Sequence, residues 1–289
     1  MARTEKIVPF LFVLPSIILV GIFVYGAIGW NFIISLTAWD GLKPNYDFVG
    51  LDNYVRLFRD EIFINALKNN IVLILFLILG VTLVGLILAI LLDQNVKGEN
   101  CFRTVYLFPM AITFVVTATI WVWMYNPTSG VFNSILDALH LGSLKSGWIT
   151  DPDIALYCII LALIWQFSGY TMVVFLAGIR SVPVETVEAA KVDGAGPLQS
   201  YSKIIIPQLT PSILSIFTVM MIYALKAFDF IWVAGKGGPG GSTEILAILM
   251  YKTAFLDSHF AYSAAIATIL FLMAIAIVLP YLWITRKKI

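Results

Sequence analysis

The chain has 289 residues, of which 60% are hydrophobic and only 12% charged, with a mean hydropathy of +0.94. A water-soluble domain carries about 25% charged residues, so this composition excludes a chain that covers itself with a polar surface, and most of it must face lipid. A net charge of +1 excludes the basic bias expected of a nucleic-acid partner.

A helix needs about 20 apolar residues to cross the hydrocarbon, and six stretches supply them: 7–37, 70–92, 105–125, 154–179, 213–234 and 262–284. The first is too long for a secretory signal and no small-residue cleavage site follows it, so it is expected to remain as an anchor. Basic residues near span ends set the orientation. With the N-terminus in the cytoplasm, the inner segments hold Arg3, Lys6, Lys97, Arg103, Arg180, Lys191, Lys203, Arg286, Lys287 and Lys288. The outer segments hold Lys43, Arg56, Arg59, Lys68, Lys145, Lys236 and Lys252. Both termini are therefore expected inside. Cys101 and Cys158 fall in different compartments on this topology, which argues against a disulfide or a metal pair. His140 and His259 stand alone in their segments and read as solvated loop histidines.

The loop between the fourth and fifth spans reads "ETVEAAKVDGAGPLQSYSKIIIPQLTP" from residue 185. Pro183 is placed where a first helical turn tolerates it, and Glu185 and Glu188 suit the positive end of the helix dipole. Ala189 and Ala190 make a smooth, close-approach surface. Asp193 and Gly194 end the helix, with glycine supplying a positive φ. A second short helix is expected from Pro197, stopping before Pro207. A lipid-surface helix would set Lys and Arg against bulky residues, whereas this small, acidic face suits a protein groove.

The same loop resembles the cytoplasmic motif of bacterial ABC importer permeases: EAA, three residues, Gly, nine residues, Ile, one residue, Leu-Pro. Here it reads Glu188-Ala189-Ala190, Gly194, Ile204 and Ile206-Pro207, with Ile in place of Leu at 206. The stretches "FLFVLPSIILVGIFVYGAI", "FVGLDNYVRLF", "FRTVYLFPMAI", "IWQFSGYTMVVFLAGIRSVP" and "KAFDFIWVAGKGGPGGSTEIL" resemble carbohydrate-uptake permeases in order and spacing. The resemblance implies an all-α integral membrane protein with six transmembrane helices, the type I ABC importer permease fold and both termini cytoplasmic. It implies an N-terminal helix and outer loop over 1–69 and a five-helix core over 70–289, with the coupling helix at about 183–207. Glu188, Ala189, Ala190, Asp193, Gly194 and Ala195 would dock on an ATPase, Glu188 pairing with a basic residue there.

"GKGGPGGST" at 235–243 invites a phosphate-loop reading, but Gly241 stands where the lysine is required, and no strand precedes it. The resemblance makes it an outer turn near the docking surface of a binding protein. Charged residues inside a span are default candidates for function, and the fifth span holds Lys226 and Asp229, three apart on one expected helix face. Tyr223, Lys226, Ala227 and Phe230 recur at helical spacing, and Gln166 and Tyr170 stand four apart beside Trp165 and Gly169. A sugar pathway needs aromatic platforms with a few polar anchors. In related permeases the stretches matching 163–170 and 223–230 contribute to the sugar site, making Gln166, Tyr170, Tyr223, Lys226, Ala227 and Asp229 the substrate-pathway candidates. A mutually neutralising pair near the outer interface, or a snorkelling lysine, competes for Lys226 and Asp229. Core packing competes for Trp123 and Trp165, and Trp148, Trp232 and Trp283 suit the membrane interfaces.

The resemblance implies a multi-pass subunit of a bacterial cell membrane that is not itself an enzyme and holds no cofactor or metal. ATP and magnesium would sit in two cytoplasmic ATPase subunits. The other partners would be a second homologous permease, an extracytoplasmic sugar-binding protein and the lipid bilayer. An ion-coupled secondary sugar transporter is the alternative. It would show membrane-embedded carboxylates and an internal repeat, and here only Asp229 fits. An intramembrane enzyme would need nucleophile–base or metal-ligand pairs such as H-E-x-x-H, which the sequence does not contain.

Overall fold

The computed structural model describes residues 4–94 and 96–286. Of the residues used above, Arg3, Lys287 and Lys288 lie outside the described residues, as do the side chains of Lys6, Trp283 and Arg286. The described residues form helices joined by loops, and their one β-type pairing is an isolated bridge between Thr37 and Phe48. In chain order the helices are α1 (Thr4–Val20), a π-helical turn (Gly21–Gly26), α2 (Ala27–Ser35), α3 (Asp52–Leu57), α4 (Glu61–Leu92), α5 (Glu99–Ala111), α6 (Phe114–Met124) and α7 (Val131–Ala138). They continue as α8 (Ala155–Arg180), α9 (Val184–Val192), α10 (Pro197–Ser200), α11 (Ile206–Gln208), α12 (Thr210–Leu225), α13 (Phe228–Gly235), α14 (Leu246–Tyr251) and α15 (Phe260–Arg286). A π turn, Tyr201–Ile205, joins α10 to α11.

Three helices are long and apolar enough to cross a membrane alone: Phe12–Ser35, Glu61–Leu92 and Ala155–Arg180. Two more candidates are bent pairs, Glu99–Ala111 with Phe114–Met124 at 98° and Pro197–Gln208 with Thr210–Leu225 at 64°. The sixth expected stretch lies within α15, whose shorter apolar part is Phe260–Ala276.

Two expected spans are thus broken. The third fails as a straight helix at Ile112, three residues after Pro109, which lies inside α5. Ile112 then turns extended (φ −83°, ψ 138°), and Thr113 restarts the helix by accepting a hydrogen bond from Val116 N–H at 3.4 Å. The fifth is interrupted at Lys226 (φ −93°, ψ 8°) and Ala227 (φ −70°, ψ 15°), so Lys226 and Asp229 do not share a continuous helix face.

The helices divide into two compact units. The first comprises the residues up to Ile64 with Leu249–Met273. In it, Asn31 donates to the Ala264 carbonyl and the Thr268 hydroxyl at 3.1 and 3.2 Å. Asn53 donates to the carbonyls of Ser35 and Thr37, at 2.9 Å each. Gly41 N–H donates to the Ser258 carbonyl and Ala261 N–H to that of Trp39, and His259 meets Asp40 between these two bonds. His259, one of the two histidines that stand alone in the sequence, thus has an acidic partner.

The second unit holds Asn65–Ile248. Its core is built around α8, where Leu163, Phe167, Met172, Phe175 and Leu176 are buried with Leu73, Leu77 and Val81 of α4. Small residues let these helices approach closely. A Cβ at Gly169 would collide with the Tyr106 carbonyl of α5, and one at Gly80 with the Ile164 side chain. Thr171 donates across to the Val81 carbonyl at 2.8 Å.

Candidate coupling surface and solute pathway

The loop after α8 is a helical hairpin. α9 starts after Pro183 and ends at Asp193, and Gly194 takes φ +86°. Gly194 N–H donates to the Lys191 carbonyl at 3.1 Å and Ala195 N–H to the Ala190 carbonyl at 2.9 Å. These two bonds satisfy the last carbonyls of α9 in the manner of a glycine-terminated helix. α10 begins with Pro197, and Gln199 accepts from Gly196 N–H at 3.3 Å. The second helical segment does not stop before Pro207. It runs on through the π turn to Gln208, with Pro207 in the first turn of α11, where its missing N–H costs little.

Glu188, Ala189, Asp193 and Gly194 are exposed, Ala195 is half-buried and Ala190 is buried. Two apolar side chains also stand out from the hairpin, Val192 at 87% exposure and Leu198 at 82%. Behind it, Arg180 at the end of α8 donates from Nη1 and Nη2 to both oxygens of Glu99, at 2.9 Å each. These hydrogen bonds hold the Glu99 carboxyl below the usual carboxylate range. Arg180 Nε lies 3.7 Å from Asp93 Oδ1, and Arg103 lies 3.6 Å from Glu99. Asp93 Oδ2 accepts from the Tyr201 hydroxyl at 2.6 Å, and Gln94 donates to that hydroxyl at 2.8 Å. The sequence shows Arg180 only as an orientation signal, because its partners lie on other segments, whereas Arg103 stands four residues after Glu99 on α5, a local spacing that went unread.

The glycine loop is held the same way. Lys236, Gly237, Gly238, Gly240 and Gly241 all have positive φ, which five neighbouring residues reach only because four are glycine. Asn65 and Asn69 of α4 donate to the Gly241 carbonyl at 2.9 and 3.1 Å, and Asn69 also to the Glu244 carbonyl at 2.9 Å. Asn70 accepts from Leu246 N–H at 2.7 Å. The "NALKNN" stretch of α4 was an unread signal: three amides in two turns, at the end of an otherwise apolar helix.

The pathway candidates meet at the two helix breaks. Gln166 is buried, and its Nε2 donates at 3.0 Å to the Ile112 carbonyl, the group freed at the α5–α6 break, while its Oε1 has no hydrogen-bond partner. Tyr223 packs on Phe167 with ring centroids 4.5 Å apart, and Phe114 sets its edge against Phe167, Tyr223 and Phe230. Tyr170 is half-buried. Lys226 and Asp229 are both exposed, Ala227 is fully buried, and no ion pair forms between Lys226 and Asp229 among the described residues. The break places Asp229 in the first turn of α13, where the helix dipole favours a carboxylate.

Residues 81–287 match the family described as "Binding-protein-dependent transport system inner membrane component". The chain belongs to this family. It is 60% identical over 277 residues to a probable ABC transporter permease protein of Pyrococcus horikoshii, covering 96% of this chain and 95% of the relative. It is 45% identical over 273 residues to the xylose/arabinose import permease protein XacH of Haloferax volcanii, covering 94% and 86%. The fold is also that of a chain in the crystal structure of a bacterial alginate ABC transporter bound to its alginate-loaded periplasmic protein. The TM-score is 0.83 at 23% identity, over 99% of this chain and 96% of the other. The permease is a multi-pass membrane protein.

Proposed function

We propose that this permease is one of two membrane subunits of an ATP-driven importer for a sugar or sugar-like solute. Residues 70–289 form the permease core, with six spans in all and both termini in the cytoplasm of the host cell. The hairpin at 183–207 docks in a groove of a cytoplasmic ATPase through Glu188, Ala189, Ala190, Asp193, Gly194 and Ala195. A second permease, a second ATPase and an extracytoplasmic sugar-binding protein complete the assembly. The chain itself is no enzyme. ATP and magnesium act in the ATPases, and their closure draws the hairpins together and rocks the spans between inward and outward openings. The family match leaves an ion-coupled mechanism without support.

The observation that carries the reading is the hairpin itself. Glu188 sits exposed on a helix ended by Gly194, flanked by apolar side chains turned outward. Exposed apolar groups beside a polar rim mark a protein contact. For the solute, Tyr170, Tyr223, Lys226 and Asp229 offer rings and polar groups, while buried Gln166 and Ala227 shape the wall behind them. The name of the Haloferax relative supports sugars as the class.

Tagged purification from the native membrane tests the reading. A second multispan protein and an ATPase are expected to co-purify, and Glu188→Lys should retain the former, lose the latter and reduce uptake of labelled xylose, arabinose or maltose at least tenfold. A chain recovered alone, with uptake that survives a block of ATP hydrolysis, would overturn it.

A further inference from the structure

The hairpin is not packed tightly onto the helices behind it. A cavity of about 650 Å³ lies beneath it, lined by Gln94, Arg180, Val187, Lys191, Tyr201 and Ile205 among others. Close-packed interiors transmit displacement because they have few voids, and here the packing is interrupted. What crosses the gap is polar. Arg180 fixes the start of the hairpin to Glu99 of α5 through two parallel bonds of 2.9 Å, and lies 3.7 Å from Asp93 at the end of α4. Tyr201, on the second half of the hairpin, reaches the other oxygen of Asp93 at 2.6 Å. The helix that leads into the hairpin and the hairpin's second half therefore meet at the corner between α4 and α5.

We propose that Arg180 is a positioning residue for transport, tying the end of α8, where the hairpin begins, to α5 and to the end of α4, so that the hairpin moves with these helices as one body when the ATPases close. The inference rests on the reading that the hairpin docks on an ATPase, and it adds a transmission element outside the docking motif. A guanidinium fork on a carboxylate fixes direction as well as distance, which an ammonium does not. The Arg180 side chain is 42% exposed, so the tie is a surface one. Exposed ion pairs add little to stability, and the role of this one is geometric.

The test uses the complex purified with its ATPase, carrying spin labels on the native, exposed Cys101 beside Glu99 and on Val192→Cys at the tip of α9. In the otherwise wild-type complex one narrow distance should persist between the nucleotide-free state and the state trapped with Mg-ATP and vanadate. Arg180→Gln should keep the ATPase bound and leave the distance narrow without nucleotide, but at least double its width on trapping. Arg180→Lys should fall between, and Tyr201→Phe should broaden the distance in the same direction. A purely structural role would broaden it in both states and overturn the proposal. So would an unchanged width in Arg180→Gln, or a wild-type distance that itself shifts on trapping. If Arg180→Gln does not assemble, Arg180→Lys decides by the same criterion, an unchanged width on trapping overturning the proposal. Retention of the ATPase in Glu188→Lys would instead defeat the docking reading, which separates the two failures.

Discussion

At the residue scale, the most informative side chain in the pathway region is Gln166. Deleting a partner of a buried polar group usually leaves an orphan that costs about 1–3 kcal/mol. Gln166 already carries one orphan, Oε1, while its Nε2 satisfies the Ile112 carbonyl. In Gln166→Leu the Oε1 orphan disappears and the Ile112 carbonyl becomes one. The two changes cancel, leaving the loss of one hydrogen bond, on the order of 1 kcal/mol in a membrane protein. A thermal melt of the purified complex should fall by only a few degrees, and a large collapse would mean that Gln166 holds more than the helix break. Gly169, next to Tyr170, has far less latitude. A methyl group there meets the backbone carbonyl of Tyr106, which cannot rotate away, so Gly169→Ala should separate α8 from α5. Overpacking of this kind costs about 1–3 kcal/mol, and complex yield at a fixed expression level is the measurement.

At the element scale, much of the fold was legible and the breaks were not. Apolar runs announce themselves by length, and the hairpin turn by Gly194, which no other residue type replaces cheaply at φ +86°. The interruption at 226–227 has no glycine or proline at the break, and that at 112–113 has only Pro109, three residues earlier. Breaks inside a membrane protein are permitted when distant groups satisfy the freed backbone. Here that group is Gln166, 54 positions from Ile112 in sequence. For the same reason the candidate Lys226–Asp229 pair was legible as two charges but not as two groups held apart. The Arg180 tie joins residues 81 positions apart and leaves no local pattern to read. The glycine loop gives a prediction at this scale. Asn69→Ala removes two bonds to the loop carbonyls, and Asn65→Ala removes one. At about 1 kcal/mol per bond, opening of the loop should rise more than tenfold in the first variant and several-fold in the second. Trypsin cleavage after the exposed Lys236 reports it, and equal rates in both variants would show that the asparagines do not hold the loop.

At the scale of the whole molecule, the proposed topology places Cys101 in the cytoplasm and residues 142–144 outside. An impermeant maleimide should label Cys101 in inside-out vesicles and not in intact cells, whereas Ser143→Cys, on an exposed turn and combined with Cys101→Ser, should show the reverse. Cys158 is buried and should stay unlabelled in both. Labelling of Cys101 from outside would invert the assignment and remove the hairpin from the side where ATP is found. The 98° bend between α5 and α6 has a further effect, on the length of the route a solute must travel. A straight helix from Glu99 to Met124 would rise about 39 Å, at about 1.5 Å per residue. Turned through a right angle, its two arms of about 20 and 17 Å reach about 26 Å along their common diagonal, less than the roughly 30 Å of hydrocarbon. On the proposed reading, a solute passing beside that bend would meet less helix than a straight span presents.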